Sequence, residues 1–257
     1  MIDARAGILK PGPALFGRAP GRPTVARHAL YVPDLADAGE EVTLAGEEAR
    51  HASRVKRLRA GEAVDLLDGA GLVAAGRVAR ADRGLVVEVG SRRRVERPRP
   101  AVEVWASAPK GPRLSTMIDL LSEVGAEAWT PLRTERANLE PTVAKRDRLA
   151  RVAVEAMKQC RRAWLLEVRA PAGLDDALAG GAGVVLADPA GEPYEPIGAE
   201  RVRVLVGPEG GFTPAERDRA RRAGVQLRRF GPHVMRVEVA AAVACAIVLD
   251  RERGQPG

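Results

Sequence analysis

The segment Gly207-Pro-Glu-Gly-Gly-Phe212 offers a bound molecule bare backbone instead of reactive side chains. Without a Cβ at Gly207, Gly210 and Gly211, the chain can turn sharply there and come close to a ligand. One such loop, taken alone, is most simply a turn between a strand and a helix. A second follows closely, Phe230-Gly-Pro-His-Val-Met-Arg-Val-Glu-Val-Ala240, and it carries Arg236 and Glu238. Two loops of this kind after successive strands describe a crevice where open α/β sheets bind ligands, at the carboxyl ends of their strands. Glu209 implies no chemistry by itself, because a carboxylate near a helix N-terminus is favourable on electrostatic grounds alone.

The loops need rigid supports, and the flanking sequence supplies them. A β-branched run at 202–206 leads into the first loop, and Thr213-Pro-Ala-Glu216 after it has the form of a capped helix start. A strand at 225–230 leads into the second loop. The helix expected after it, 237–249, is almost wholly apolar and too short to span a bilayer, so it belongs in a core or an interface. Upstream, a strand at 102–106 precedes a helix at 112–124, with Leu114, Met117, Ile118, Leu121 and Val124 on one face and Gly125 as its stop. A second helix is expected at 143–163, with Leu149, Val152, Ala153, Ala156 and Cys160 on one face and basic residues on the rest. A strand at 183–187 ends at Asp188-Pro189. This alternation predicts an α/β domain with a parallel sheet. Residues 28–95 read differently, as short strands at 30–32, 42–44, 63–67, 72–78 and 85–89 with one helix at 47–58, which suits a small barrel. Residues 92–100 read as a linker. Residues 1–27, where proline and glycine alternate without apolar periodicity, are expected to be a disordered extension.

The 257 residues, 46% of them hydrophobic, suffice for one large domain or two small ones. A net charge of +7 favours a polyanionic partner. The charge is also local: residues 50–59 hold Arg50, Arg54, Lys56, Arg57 and Arg59 without an acid, and residues 92–99 hold five arginines against Glu96. Such clusters fit contact with RNA phosphates better than a merely solvated face. Cys160 and Cys245 lack metal-ligand spacing and form no disulfide framework, and His28, His51 and His233 are scattered, so no metal is expected. No secretory leader and no membrane span are expected, which places the protein in the cytoplasm.

The two loops in this order resemble the RsmE family, SPOUT-class methyltransferases that modify a uridine of small-subunit ribosomal RNA at N3. The first loop matches the family's G-P-E-G-G-F completely. The second agrees at Gly231, Pro232, Arg236, Glu238 and Ala240, and departs at His233, where the family prefers Arg, and at Val239, where it prefers Thr. Further matches run over residues 28–250, among them Pro109-Lys-Gly111, Pro131-Leu-Arg-Thr-Glu-Arg136 and Glu155-Ala-Met-Lys-Gln-Cys-Arg-Arg162, where Arg161 replaces the usual Gly. Val25 stands where family members begin, so the true start is expected near it.

The resemblance implies a SPOUT-type parallel-sheet domain with a C-terminal trefoil knot at residues 101–251, preceded by a PUA-like RNA-binding barrel at residues 28–97. It implies S-adenosylmethionine as cofactor, the 16S ribosomal RNA as partner and a homodimer. Three loops would form the cofactor pocket: Leu186, Ala187 and Asp188; Val206, Gly207, Pro208, Glu209, Gly210 and Gly211; and Phe230, Gly231, Val234 and Met235. Arg236 would stabilise the uridine anion formed when N3 loses its proton, and Glu238 would serve as base or positioning group. Arg54, Lys56, Arg57, Arg59, Lys110, Arg113, Arg136 and Arg162 would face RNA. Two other functions stay open here: a SPOUT enzyme acting on another RNA, and a catalytically lapsed RNA-binding homologue.

Overall fold

The computed structural model describes residues 28–44, 46, 58–81, 84–137, 141–179 and 183–253. The expected extension at 1–27 and nearly all of the expected helix at 47–58, with Arg54, Lys56 and Arg57, lie outside the described residues.

The first lobe is a five-stranded sheet of His28–Tyr31 (β1), Glu41–Leu44 (β2), Ala63–Leu67 (β3), Leu72–Arg80 (β4) and Leu85–Arg94 (β5), in the order β1-β3-β4-β5-β2. Every neighbouring pair is antiparallel except β1 with β3. Alternate residues turn inward, so Leu30, Val64, Leu66, Leu85 and Val87 pack into one small core. The strand β5 extends to Arg94, pairing with Leu72–Ala74 on β4, so the first part of the expected linker is sheet.

The second lobe alternates strands and helices. It comprises Ala101–Ala106 (β6), Arg113–Val124 (α1), Ala128–Arg133 (β7), Val143–Cys160 (α2), Glu167–Val168 (β8), Ala172–Gly173 (β9), Leu174–Leu178 (α3), Val184–Pro193 (β10), Arg201–Val206 (β11), Pro214–Arg222 (α4), Gln226–Arg229 (β12) and Val237–Arg253 (α5). The strands run in the order β12-β10-β11-β6-β7-β8, with β9 beside β7, and every pairing is parallel. Both faces of the sheet are covered, so its central strands are largely apolar, and the charged residues they carry, Glu103 on β6 with Arg201 and Arg203 on β11, pair with one another. Val102, Val104, Val202 and Val204 face a core shared with α1 and α5. Trp105 and Leu205, the residues that follow Val104 and Val204, face a second core shared with Ala220 of α4.

Two boundaries differ from the sequence expectation. The strand β10 passes Asp188-Pro189 and resumes pairing with β12 at Glu192 after a register shift. Helix α2 ends at Cys160, short of residue 163, because Arg161 adopts the left-handed conformation with φ 59°. That conformation favours glycine, the residue that the resemblance implies at this position.

The lobes meet at Trp164. Its indole N–H donates to the carbonyls of Val95 and Glu96, and a Cβ at Gly71 would collide with its ring. Arg97 lies over the same ring at 4.4 Å, and Ala29, Leu67 and Val73 of the first lobe pack with Met157 and Ala163 of the second. At the far end of the sheet, α5 returns from the edge strand β12 to pack on β6, β11 and α1. The segment 194–198 crosses its last turn, where Glu252 accepts hydrogen bonds from the Tyr194 hydroxyl and from the amides of Ile197 and Gly198.

Candidate functional site

Strand β11 delivers the chain into the first loop, and α4 takes it away. Thr213 caps that helix: its Oγ1 accepts from the Glu216 amide at 3.3 Å, while Glu216 Oε2 accepts from the Thr213 amide at 2.8 Å. The other oxygen of Glu216 reaches across to the loop after β7 and accepts from the Glu135 amide at 2.8 Å. Glu216 is buried, so this one carboxylate ties two loops together away from water. Arg136 of the β7 loop donates to the Gly210 carbonyl at 2.6 Å, and Arg113 of α1 pairs with Glu209 at 3.3 Å. Inside the loop, Gly211 has a φ of +66°, and a Cβ at Gly207 would lie 3.0 Å from the Phe212 ring. Both glycines are therefore required by the turn.

The second loop begins at Phe230, which is buried and stacks on Tyr194 with ring centroids 5.3 Å apart. Val234 is 79% exposed and Arg236 is exposed. Glu238 is buried in the first turn of α5, and its Oε2 has no hydrogen-bond partner among the described residues.

Together the loops enclose a cleft of about 780 Å³, open to solvent. Ala187, Asp188, Val206, Gly207, Pro208, Glu209 and Gly211 line it from the two strand ends, and Phe230, Gly231, Val234 and Met235 from the second loop. Two of the expected pocket residues do not line it. Leu186 is fully buried in the core beneath, and Gly210 lies against Arg136. Arg236 and Glu238 flank Val237, which does line the cleft.

The cleft has an apolar side of Val206, Phe212, Phe230, Met235, Val237 and Ala240, and a charged side at the β10–β12 edge. On the charged side Asp188 is buried; its Oδ1 accepts from the Ala190 amide at 2.8 Å and its Oδ2 pairs with Arg217 at 3.3 Å. His233, within the expected loop 230–236, also lines the cleft, and sequence reasoning missed Arg217, Arg228 and Arg229 as lining residues. The signal available was position alone, since Arg217 follows the capping box directly and Arg228-Arg229 precede Phe230.

Among the described residues, the cations expected to face RNA divide into three groups. Arg59 and Lys110 are exposed. Arg113 and Arg136 brace the first loop as described. Arg162 is half-buried and donates to the carbonyls of Ser122 at 2.9 Å and Ala126 at 2.8 Å, so it ties the segment after α2 to α1. Burial pulls its guanidinium below the usual arginine range.

An apolar slot beside a charged edge suits a ligand with a flat ring at one end and charges at the other. No group of metal-binding side chains occurs among the described residues, and no described helix is long and apolar enough to cross a membrane. The chain matches the RNA methyltransferase domain over residues 96–249 and the RNA methyltransferase PUA domain over residues 44–89. It is 35% identical over 235 residues to the Ribosomal RNA small subunit methyltransferase E of Mycobacterium bovis, which covers 85% of this chain and 90% of that protein. The protein of the same name from Synechocystis is 31% identical over 218 residues, covering 80% of this chain and 71% of that one. Among solved structures, one from Legionella pneumophila, described as a methyltransferase with the bound cofactor SAM, superposes with a TM-score of 0.77 at 26% identity, covering 88% of this chain and 98% of that one.

Proposed function

The chain belongs to the ribosomal RNA small subunit methyltransferase E family, and on that footing we propose that it transfers a methyl group from S-adenosylmethionine to N3 of a uridine in 16S ribosomal RNA. The observation that carries this proposal is the single cleft formed by the Gly207–Phe212 loop and the Phe230–Arg236 loop, apolar on one side and charged on the other. Its residues fit the cofactor: Phe230 and Met235 offer a surface to an adenine, and the glycines bring backbone donors and acceptors within reach of its edge. When bound there, S-adenosylmethionine supplies an electrophilic methyl carbon next to a sulfonium.

The remaining work falls to the chain's own groups. Uracil N3 attacks only after losing its proton, which leaves negative charge on O2 and O4. Arg236, exposed at the cleft's edge, provides a fixed positive charge for that anion. Glu238, whose buried Oε2 has no hydrogen-bond partner among the described residues, is proposed to orient the base or take its proton. The target base must leave its stack to reach the cleft. The exposed Arg59 and Lys110 are proposed to hold the RNA by its phosphates.

The working form is proposed to be a cytoplasmic homodimer. Val239 is 40% exposed on α5 and Val234 is 79% exposed beside the cleft, apolar surface that a second copy would cover. The crossing of segment 194–198 over α5 supports the trefoil-knot topology that the resemblance implies.

The deciding experiment is methyl transfer from labelled S-adenosylmethionine to small ribosomal subunits lacking the modification, with the product nucleoside identified by mass spectrometry. The expected product is N3-methyluridine. A methylated ribose, or transfer to another RNA only, would move the enzyme to a different SPOUT specificity.

A further inference from the structure

We infer that Asp188 and Arg217 form the receptor for the amino-acid end of the cofactor, with Arg217 taking its carboxylate and Asp188 its ammonium. The inference rests on the assignment of the cleft to S-adenosylmethionine. That molecule ends in a zwitterion, an ammonium and a carboxylate on one carbon. The complementary receptor is a carboxylate and a guanidinium side by side, presented at the end of the slot away from the ring.

The cleft contains one such couple. Asp188 Oδ2 and Arg217 Nη1 are 3.3 Å apart, and both residues line the cleft. Asp188 is held in place before any ligand arrives: its side chain is 5% exposed and its Oδ1 accepts from the Ala190 amide. Arg217 sits in the first turn of α4, where a cation opposes the helix dipole, so neither capping nor helix stability explains an arginine there. Its side chain is 34% exposed, leaving donors that can turn to a second anion.

The neighbouring arginines are less suited. Arg228 uses Nη1 on the Pro193 carbonyl at 3.0 Å and both Nε and Nη2 on Gln226 Oε1. Arg229 approaches the Gly191 carbonyl at 3.4 Å and pairs with no carboxylate among the described residues that could meet the ammonium. Position agrees with this choice. Asp188 follows Ala187, which pairs with Arg228 on the edge strand, whereas the apolar lining comes from the end of β11 and the start of α5. A ring on the apolar side therefore directs the tail of the same molecule to the β10–β12 edge.

The test compares two ligands that share the adenosine and differ in the tail. S-adenosylhomocysteine keeps the zwitterion, and 5′-methylthioadenosine lacks it. Binding of each is measured by calorimetry to the full chain and to Arg217→Gln, Arg217→Lys and Asp188→Asn. Arg217→Gln should weaken S-adenosylhomocysteine by about 10- to 100-fold, the loss of a charge-assisted contact, and leave 5′-methylthioadenosine unchanged. Arg217→Lys should recover part of the loss, and Asp188→Asn should show the same selectivity. Equal losses for both ligands would overturn the inference, since the couple would then only shape the cleft. Unchanged binding of both, with a raised KM for ribosomal RNA, would also overturn it and make Arg217 a phosphate contact. Failure of the unaltered chain to bind either ligand would instead refute the assignment of the cleft itself.

Discussion

Arg161 holds a backbone conformation that costs a residue with a Cβ about 1 kcal/mol. Its ion pair with Asp65 of the first lobe is long, at 3.9 Å. Arg161→Gly should therefore stabilise the protein by about 0.5–1 kcal/mol, after allowing for the extra freedom glycine gives the unfolded chain, as read from urea unfolding. Arg236 has a different role. Arg236→Ala is expected to abolish methyl transfer while cofactor affinity, measured by calorimetry, stays nearly intact; retained activity would remove Arg236 from the chemistry. Glu103 links acidity to stability. Burial alone would raise its pKa, but Arg169, Arg201 and Arg203 together hold it below the ordinary value of 4.5. A depressed folded-state pKa contributes stability that is complete above the unfolded value and is lost as pH falls through the folded one. Melting temperature should thus drop on acidification from about pH 5 downward, and Glu103→Gln should make that part of the drop shallower.

Glu216 shows how a local motif acquires a second role at the scale of elements. As the N3 residue of a capping box it serves α4, and through Oε1 it also holds the β7 loop that carries Arg136 onto Gly210. Glu216→Ala leaves the buried Thr213 amide and the half-buried Glu135 amide without an acceptor. It should cost about 2–4 kcal/mol in urea unfolding, more than an exposed cap. Only the capping half was readable in the sequence, because the partner amide lies 81 residues away. The same division holds for the fold. The strands and α1 follow from periodicity, since Val102, Val104 and Trp105 must lie on alternate faces and Leu114, Ile118 and Leu121 on one. The tie that Arg162 makes did not follow, because its partners are backbone carbonyls, which carry no sequence signature. The Asp188–Arg217 couple was equally hidden: it depends on β10 and α4 meeting at the cleft, a fact of topology. The glycines of the first loop were readable for the opposite reason, that backbone shape restricts residue type there.

The whole molecule is two lobes joined at one seam, with an apolar stripe of α5 that includes Val239 and Ala246 left exposed. If that stripe is a dimer face, Val239→Asp should convert the protein to a monomer in light scattering and lower methyl transfer, while the melting temperature of the isolated chain changes little. A dimer that survives the substitution would place the contact elsewhere. The seam centres on Trp164, wedged against Gly71 and covered by Arg97. Of the three tryptophans, Trp129 is fully buried in the sheet and Trp105 is buried beneath Arg203. Trp164 alone lies where the lobes touch. The protein thus has a built-in optical gauge: with Trp105 and Trp129 replaced by Phe, ultraviolet emission would report, without an added dye, whether the lobes part when RNA is engaged.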